Sequence, residues 1–146
     1  MNMIYYLSLG ANLGERERTI QQAIKNIEQQ IGNVLRCSSF YYSKPWGFES
    51  KNDFCNLCCA VETAMPPLEV LARTQSIERT LGRTEKTIKG NYSDRLIDID
   101  LIRVFNGEVE IFMNDDTLTL PHKDWQQRDF VRIPLQEIAN PDTITI

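Results

Sequence analysis

The chain has 146 residues, 25% of them charged and 42% hydrophobic, and its formal net charge is −4. This length and composition predict one globular domain over residues 1–146 with a core of its own. The acidic balance argues against broad binding to nucleic acid or anionic membranes, since both favour basic surfaces. No apolar run approaches the ~18 residues of a membrane span, and the first residues lack signal-peptide character. We therefore expect a cytoplasmic protein without nucleic-acid or membrane partners.

The first half of the chain predicts one helix among three strands. Residues 4–9 form a short apolar run, which suits a central strand. Over residues 15–31, isoleucine and alanine recur at helical spacing before a terminating glycine. Residues 34–42 and 54–63 are rich in strand-forming types and predict two further strands. The polar segment 43–53 between them contains proline and glycine, so it predicts a loop.

The second half predicts a further helix and a fourth strand. Pro66 and Pro67 open the helix, which has an inward apolar stripe and ends at Gly82. The segment 84–94 is long and polar, which is typical of a mobile loop. Residues 96–105 form the apolar run of the fourth strand.

The C-terminal part predicts short elements. Asn106-Gly107 is a hairpin-turn signal that leads into a strand at residues 108–113. A short segment at 117–120 and a helical piece at 135–139 follow. The order strand, helix, strand, strand, helix, strand predicts an α+β fold. We expect a ferredoxin-like βαββαβ sheet with helices packed on one face, plus a C-terminal hairpin and short helices.

The four cysteines include a C-x-x-C pair, Cys55 and Cys58. Such a pair raises the hypothesis of a zinc or redox site. However, residues three apart on a strand face opposite ways, and no second C-x-x-C exists. We therefore interpret the cysteines as small buried hydrophobic residues in a reducing compartment.

The most informative segment contains Asp98 and Asp100, which are two residues apart in an apolar run. On a strand both carboxylates face the same way and repel each other, so they need a counter-charge such as Mg²⁺. Arg95 and Arg83 add fixed positive charge nearby. Metal ions with guanidinium groups are suited to binding polyphosphate. The local pattern leaves the alternative of two surface aspartates open.

Several other chemistries lack their motifs. The chain has no G-x-x-x-x-G-K-[ST], no G-x-S-x-G and no H-E-x-x-H, and His122 is its single histidine. Phosphoryl-type transfer needs none of these, because in-line placement and charge stabilisation by metal and arginine suffice. His122 and Arg128 could add to such a site. No strong general base is evident.

Six groups of landmark residues occur in order between residues 6 and 141. They are Leu9-Gly10-Ala11-Asn12-Leu13-Gly14, Pro45-Trp46-Gly47, Phe54-Cys55-Asn56, Ile77-Glu78 with Gly82-Arg83, Asp94-Arg95-Leu96-Ile97-Asp98-Ile99-Asp100, and Leu120-Pro121-His122. In this order and spacing they resemble the 6-hydroxymethyl-7,8-dihydropterin pyrophosphokinase family of folate synthesis. The resemblance implies transfer of a pyrophosphoryl group from ATP to the hydroxymethyl oxygen of the reduced pterin, releasing AMP. It implies small-molecule substrates only, and we expect a monomer.

The resemblance also implies a nucleotide side of the site. Two Mg²⁺ ions would bind Asp98 and Asp100, and one of them would lower the pKa of the pterin hydroxyl. Arg83 and Arg95 match arginines that contact phosphate. The other positions that match nucleotide ligands or neighbours are Gln75, Glu78, Leu101, Thr119, His122 and Arg128.

On the pterin side, Phe54 and Phe130 match two rings that sandwich the flat substrate. Asn56 matches an amide that reads the ring edge. The remaining matches are in loops: Ser43, Trp46 and Tyr92. Each of these residues alone would have a structural explanation, such as a core position for a phenylalanine.

The chain departs from the family pattern at three positions. Glu85 stands where many relatives carry a second arginine, and Lys86 or Lys89 could replace that contact. Tyr92 stands at a position often held by tryptophan, and Lys123 where an aromatic is common. Two alternatives stay open at this point: a metal-dependent phosphohydrolase or nuclease using the same aspartates, and a ferredoxin-like binding module for RNA or a small regulator.

Overall fold

The computed structural model describes residues 2–44, 52–82 and 96–139. The elements in chain order are β1 (Met3–Ala11), α1 (Arg16–Gln30), β2 (Asn33–Cys37), β3 (Tyr41–Ser43), β4 (Phe54–Thr63), α2 (Pro67–Thr80), β5 (Asp98–Asn106), β6 (Val109–Glu110), β7 (Met113–Asn114), β8 (Thr119–Leu120) and α3 (Asp129–Ile138). A short 3₁₀ helix, Trp125–Gln127, precedes α3. None of the described helices is long and apolar enough to cross a membrane.

The main sheet is antiparallel throughout its described part. Its strands lie in the order β2, β4, β1, β5, β6, and β3 also pairs with β4. Strands β7 and β8 pair separately. The order β2-β4-β1-β5, with α1 and α2 as the two connections, is the ferredoxin-like split βαβ arrangement. The predicted fold class is confirmed.

Alternating side chains divide the core between the two faces of the sheet. The larger cluster lies on the side of α1 and α2 and includes Tyr5, Leu7, Cys55 and Ile77. A smaller cluster on the other side joins Tyr6, Cys58 and Ile102 to apolar residues of α3. The sequence predicted helices on one face only. Helix α3 lies on the second face because its own stripe, Val131, Leu135 and Ile138, is buried there.

The cysteine prediction holds for three of the four residues. Cys55, Cys58 and Cys59 are buried, and Cys55 and Cys58 belong to different clusters on opposite faces of the sheet. The C-x-x-C spacing therefore does not bring these two thiols together. Cys37 differs from the prediction because it is exposed at the end of the edge strand β2.

The predicted strand at residues 34–42 is wrong as a single element, because β2 ends at Cys37 and β3 begins at Tyr41. Ser38 explains the interruption. Its amide donates to the carbonyl oxygen of Cys58 at 2.8 Å, but its side-chain oxygen, not its carbonyl, accepts from the Cys58 amide at 2.9 Å. A serine hydroxyl thus replaces the backbone in the ladder, as short polar side chains can.

Two C-terminal predictions were also wrong in extent. The strand expected at 108–113 divides into β6 and β7, which belong to different sheets. Helix α3 begins at Asp129, six residues before the predicted start, and includes Pro134. Burial of Pro134 beside Leu135 offsets the backbone hydrogen bond that a proline cannot donate. The ends of β1, α1, β4, α2 and β5 lie within two residues of the prediction.

Candidate active site

Asp98 and Asp100 lie at the start of β5, and both are half-buried. They pair across the ladder with Gly10 and Ser8 of β1, so both carboxylates point to the α3 face of the sheet. The two side chains are hydrogen-bonded to each other. The structure therefore places both carboxylates on the same face of a strand, as their spacing predicts.

The pKa of Asp100 is raised well above its ordinary value. Burial is the main cause, followed by the charge of Asp98, their mutual hydrogen bond and the charge of Glu78, while Arg128 acts in the opposite direction. Without a cation this carboxyl pair therefore keeps a proton to a higher pH than an isolated carboxyl does, and a bound metal would displace that proton. Two neighbouring carboxylates in need of positive charge fit Mg²⁺, which commonly takes one or two carboxylates from the protein.

Glu78 connects α2 to the strand that carries these aspartates. The side chain is buried, and its Oε2 accepts a hydrogen bond from the backbone N–H of Ile99 at 2.8 Å. Ile99 lies between Asp98 and Asp100. The carboxylate beside the apolar stripe of α2 thus fixes the position of the segment that carries Asp98 and Asp100.

A cavity of about 300 Å³ lies at the edge of β5 that faces away from β1. Its lining residues are Leu71, Ile99, Asp100, Leu101, Thr117, Leu118, Thr119, His122 and Lys123. Because the Ile99 amide points to this edge to reach Glu78, the Leu101 amide, two residues further, points the same way. The cavity therefore combines an apolar wall, a backbone edge, two hydroxyls and basic groups beside the carboxylate pair.

The cavity contains part of the predicted nucleotide side. Leu101, Thr119 and His122 line it, whereas Gln75 is exposed on α2 and is not in the described lining. Sequence reasoning missed Leu71 and Thr117 as site residues. Leu71 could have been found from its helical spacing of seven to Glu78, since such residues share a face.

His122, which lines the cavity, and Arg128 both lie in the segment after β8. The amide of His122 donates to the carbonyl oxygen of Ile102 at 2.8 Å, and the amide of Asp124 donates to His122 Nδ1 at 3.3 Å. Burial and the positive charge of Arg128 lower the pKa of His122. The imidazole is therefore neutral near pH 7 with its proton on Nε2, so it offers a hydrogen-bond donor instead of a full charge.

Arg128 adds a permanently charged guanidinium to the described part of this site. Its side chain is buried, with Nη2 3.5 Å from Asp124 Oδ2 and the guanidinium carbon 5.9 Å from the centre of the Phe130 ring. It also acts on Asp100 by lowering its pKa. The structure thus brings Arg128 into the electrostatic environment of the carboxylate pair.

The residues of β3 and β4 that were predicted for the pterin side lie beyond β1 on the same face of the sheet. Asn56 pairs with Gly10, and its Nδ2 donates to Ser43 Oγ at 2.8 Å and to the Tyr41 carbonyl oxygen at 3.0 Å. A side chain at Gly10 would place its Cβ 3.0 Å from Asn56 Oδ1 and 3.6 Å from the ring of Phe54. Glycine at this position therefore keeps the space between Asn56 and the aspartates open.

Phe130, the second predicted ring, is half-buried on α3 and packs against the smaller cluster. It shares the α3 face with Phe54, Asn56 and the two aspartates. Some predicted site residues lie outside the described residues: Trp46, Arg83, Tyr92 and Arg95. The departures at Glu85, Lys86 and Lys89 lie outside them as well.

The fold and the site together define a class of protein. A ferredoxin-like sheet presents paired carboxylates that fit a divalent cation, beside a cavity lined by hydrogen-bond donors, and this combination is typical of a nucleotide-dependent transferase. The sequence model of the 7,8-dihydro-6-hydroxymethylpterin-pyrophosphokinase (HPPK) family matches residues 6–140. The chain belongs to this family. The predicted enzyme class, an ATP-dependent pyrophosphokinase, is thereby confirmed.

Curated relatives agree with the family. The chain is 43% identical over 136 residues to the 2-amino-4-hydroxy-6-hydroxymethyldihydropteridine pyrophosphokinase of Porphyromonas gingivalis, covering 93% of this chain and 90% of that protein. It is 36% identical over 140 residues to the enzyme of the same name from Bacillus subtilis, covering 95% and 80%. A solved HPPK-DHPS structure in complex with substrates matches with a TM-score of 0.70 and 14% identity, over 94% of this chain and 40% of that one. At this identity the structural match supports the fold alone.

Proposed function

We propose that this chain transfers the pyrophosphoryl group of ATP to the hydroxymethyl oxygen of 6-hydroxymethyl-7,8-dihydropterin, with two Mg²⁺ ions. The hydroxymethyl oxygen bonds to the β-phosphorus, whose bond to the α,β-bridging oxygen breaks, and that oxygen leaves with AMP. The observation that carries the proposal is the position of Asp98 and Asp100. They lie between a cavity of about 300 Å³ on one side and Asn56 on the other, so two substrates can meet at one carboxylate pair.

Asn56 is the residue that recognises the pterin in this proposal. Both of its Nδ2 protons are engaged, by Ser43 Oγ and by the Tyr41 carbonyl oxygen. The orientation of the amide is thereby fixed, and Oδ1 is presented beside Gly10 as an acceptor. An acceptor in this place would receive N–H groups from the edge of a pterin ring, while Phe54 and Phe130 supply aromatic surface on the same face.

On the nucleotide side, the chain contributes orientation and charge. Leu101 offers its backbone edge, His122 donates from Nε2, and Arg128 supplies a guanidinium close to the carboxylates. Magnesium held by Asp98 and Asp100 would supply charge neutralisation for phosphate and a lowered pKa for the pterin hydroxyl. Such catalysis rests on positioning and electrostatic stabilisation. Arg83 and Arg95 stay predictions for the transferring group.

The experiment combines the chain with ATP, MgCl₂ and the reduced pterin, and follows nucleotides and pterins by chromatography. We expect AMP and pterin diphosphate in equal amounts, and no nucleotide breakdown without pterin. Asp98→Ala and Asp100→Ala should abolish turnover while the circular dichroism spectrum is retained. Release of phosphate without pterin would favour the alternative metal-dependent phosphohydrolase.

A variant of Arg95 tests whether its positive charge stabilises the pyrophosphoryl group during transfer. Arg95→Ala should lower turnover more than it weakens pterin binding, because a transition-state contact affects the chemical step. Unchanged turnover with loss of pterin affinity alone would contradict this role. We further propose that residues 1–146 act as one domain and as a cytoplasmic monomer, which light scattering of the purified protein can test for the monomeric state.

A further inference from the structure

Arg16, at the beginning of α1, contacts the ends of two strands that carry pterin-side residues. Its Nη1 donates to the carbonyl oxygen of Asp53 at 2.8 Å, and its guanidinium carbon lies 5.4 Å from the centre of the Tyr42 ring. Asp53 precedes Phe54, and Tyr42 precedes Ser43. Since Ser43 and Phe54 are register partners at the paired ends of β3 and β4, one side chain spans both strand ends.

A hydrogen bond and a ring contact, not burial, fix the position of the Tyr42 side chain. Its side chain is 53% exposed, yet its hydroxyl donates to Glu17 Oε2 at 2.7 Å while Arg16 lies over its ring. The hydrogen bond to Glu17 raises the pKa of Tyr42 to about 12, so the hydroxyl stays a donor over the physiological pH range. Arg16, Glu17 and Tyr42 form one group, here called the Arg16 cluster.

The Arg16 cluster supports the partners of Asn56. The acceptors for Asn56 Nδ2 are Tyr41 O and Ser43 Oγ, and these residues flank Tyr42 in the three-residue strand β3. In the described part of the sheet, β3 pairs with β4 alone. A strand this short depends on contacts outside the ladder to keep its position.

We infer that Arg16 is a positioning residue for the pterin side of the site. By holding Tyr42 and the Asp53 carbonyl together, it keeps Asn56 Oδ1 and Phe54 in the orientation that a flat ring requires. The inference rests on the proposed function, because it takes Asn56 as the residue that reads the pterin edge. The described cavity on β5 has no lining residue in the Arg16 cluster, so nucleotide binding should be unaffected.

The test compares Arg16→Ala and Arg16→Lys with Arg18→Ala. Arg18 is on the same helix, and its ion pair is with exposed Glu15 at 3.4 Å, so it is a matched control. Pterin affinity is measured by fluorescence titration, affinity for a non-hydrolysable ATP analogue by calorimetry, and kcat, KM and the melting temperature alongside. Arg16→Ala should weaken pterin affinity about fivefold, or about 1 kcal/mol, with kcat and nucleotide affinity unchanged. Arg16→Lys should recover part of the loss.

A second variant keeps the inference testable where Arg16→Ala reduces folding. Tyr42→Phe retains the ring under Arg16 and removes the hydroxyl, so it should weaken pterin affinity about twofold at an unchanged melting temperature. Equal pterin affinity in wild type, Tyr42→Phe and Arg16→Lys, or equal losses for pterin and nucleotide, would overturn the inference while leaving the proposed function intact. A wild-type protein that fails to bind pterin would overturn both.

Discussion

Replacing Asp100 by asparagine should stabilise the metal-free protein and abolish turnover. The pKa of Asp100 is raised in the folded protein by burial and by Asp98. The unfolded chain therefore releases this proton more readily, and folded-state stability is lost as pH rises from about 4, the ordinary pKa, through the raised value. An asparagine side chain at this position would keep the shape of the protonated acid and could still donate to Asp98, without a charge to lose.

The expected gain in the free energy of unfolding follows from the charged neighbours of Asp100. Two carboxylates, Asp98 and Glu78, act against its charge and one guanidinium, Arg128, favours it, so one net repulsion remains. Relief of such strain at a functional site typically gives about 1–2 kcal/mol. For a chain of this size, the expected rise in melting temperature is about 2–8 °C.

The assay is thermal unfolding in EDTA at pH 8 and again at pH 4.5, with and without Mg²⁺. The advantage of Asp100→Asn should be largest at pH 8 and shrink at pH 4.5, where the wild-type carboxyl also holds its proton. Added Mg²⁺ should stabilise the wild type and not the variant, because binding to the folded state alone raises stability. Glu108→Gln, which removes an exposed carboxylate in the β5–β6 turn, is the control for net charge. A variant less stable than wild type in EDTA at pH 8 would refute the reasoning.

Three further predictions concern single side chains. Glu78→Ala leaves the Ile99 amide without its acceptor and should lower the free energy of unfolding in urea by about 1–3 kcal/mol. Glu78→Gln keeps an acceptor and should lower it less. A larger loss in Glu78→Gln than in Glu78→Ala would contradict the anchoring role. Asn56→Ala should weaken pterin binding about tenfold at unchanged nucleotide affinity, and an equal loss of both in titrations would argue against edge recognition. The lowered pKa of His122 means that stability falls as pH drops below about 6.5, so His122→Gln should flatten that part of the unfolding profile; an unaltered profile would rule this out.

Sequence periodicity was sufficient to predict those features of the fold that depend on a single local residue pattern. Strand β4 has the predicted ends, since its apolar run follows the polar segment 43–53 and stops shortly before the prolines Pro66 and Pro67. The shared direction of Asp98 and Asp100 follows from strand alternation alone. The interruption at Ser38 could not be foreseen, because it depends on which backbone group its hydroxyl meets on a neighbouring strand.

The supporting contacts of the site were harder to predict, because they join residues that are distant in the chain. The hydrogen bond from Ile99 to Glu78 links residues 21 apart, and that from Arg16 to Asp53 links residues 37 apart. Each depends on how closely a helix approaches a strand, which no local pattern specifies. Similarly, the apolar stripe of α3 indicates that one face is buried but not which face of the sheet covers it.

The bare backbone of Gly10 also relates the size of the substrate to the architecture of the sheet. Asn56, Gly10 and Asp98 are aligned across three adjacent strands, and strands in a sheet are about 4.8 Å apart. The amide and the carboxylate are thus separated by about two such intervals, or about 10 Å. A ligand anchored by one edge at Asn56 must carry its reactive oxygen that far to come next to the cation. The spacing between the hydrogen-bonded strands, not any one side chain, would then select against analogues whose reactive oxygen lies closer to or farther from the recognised ring edge.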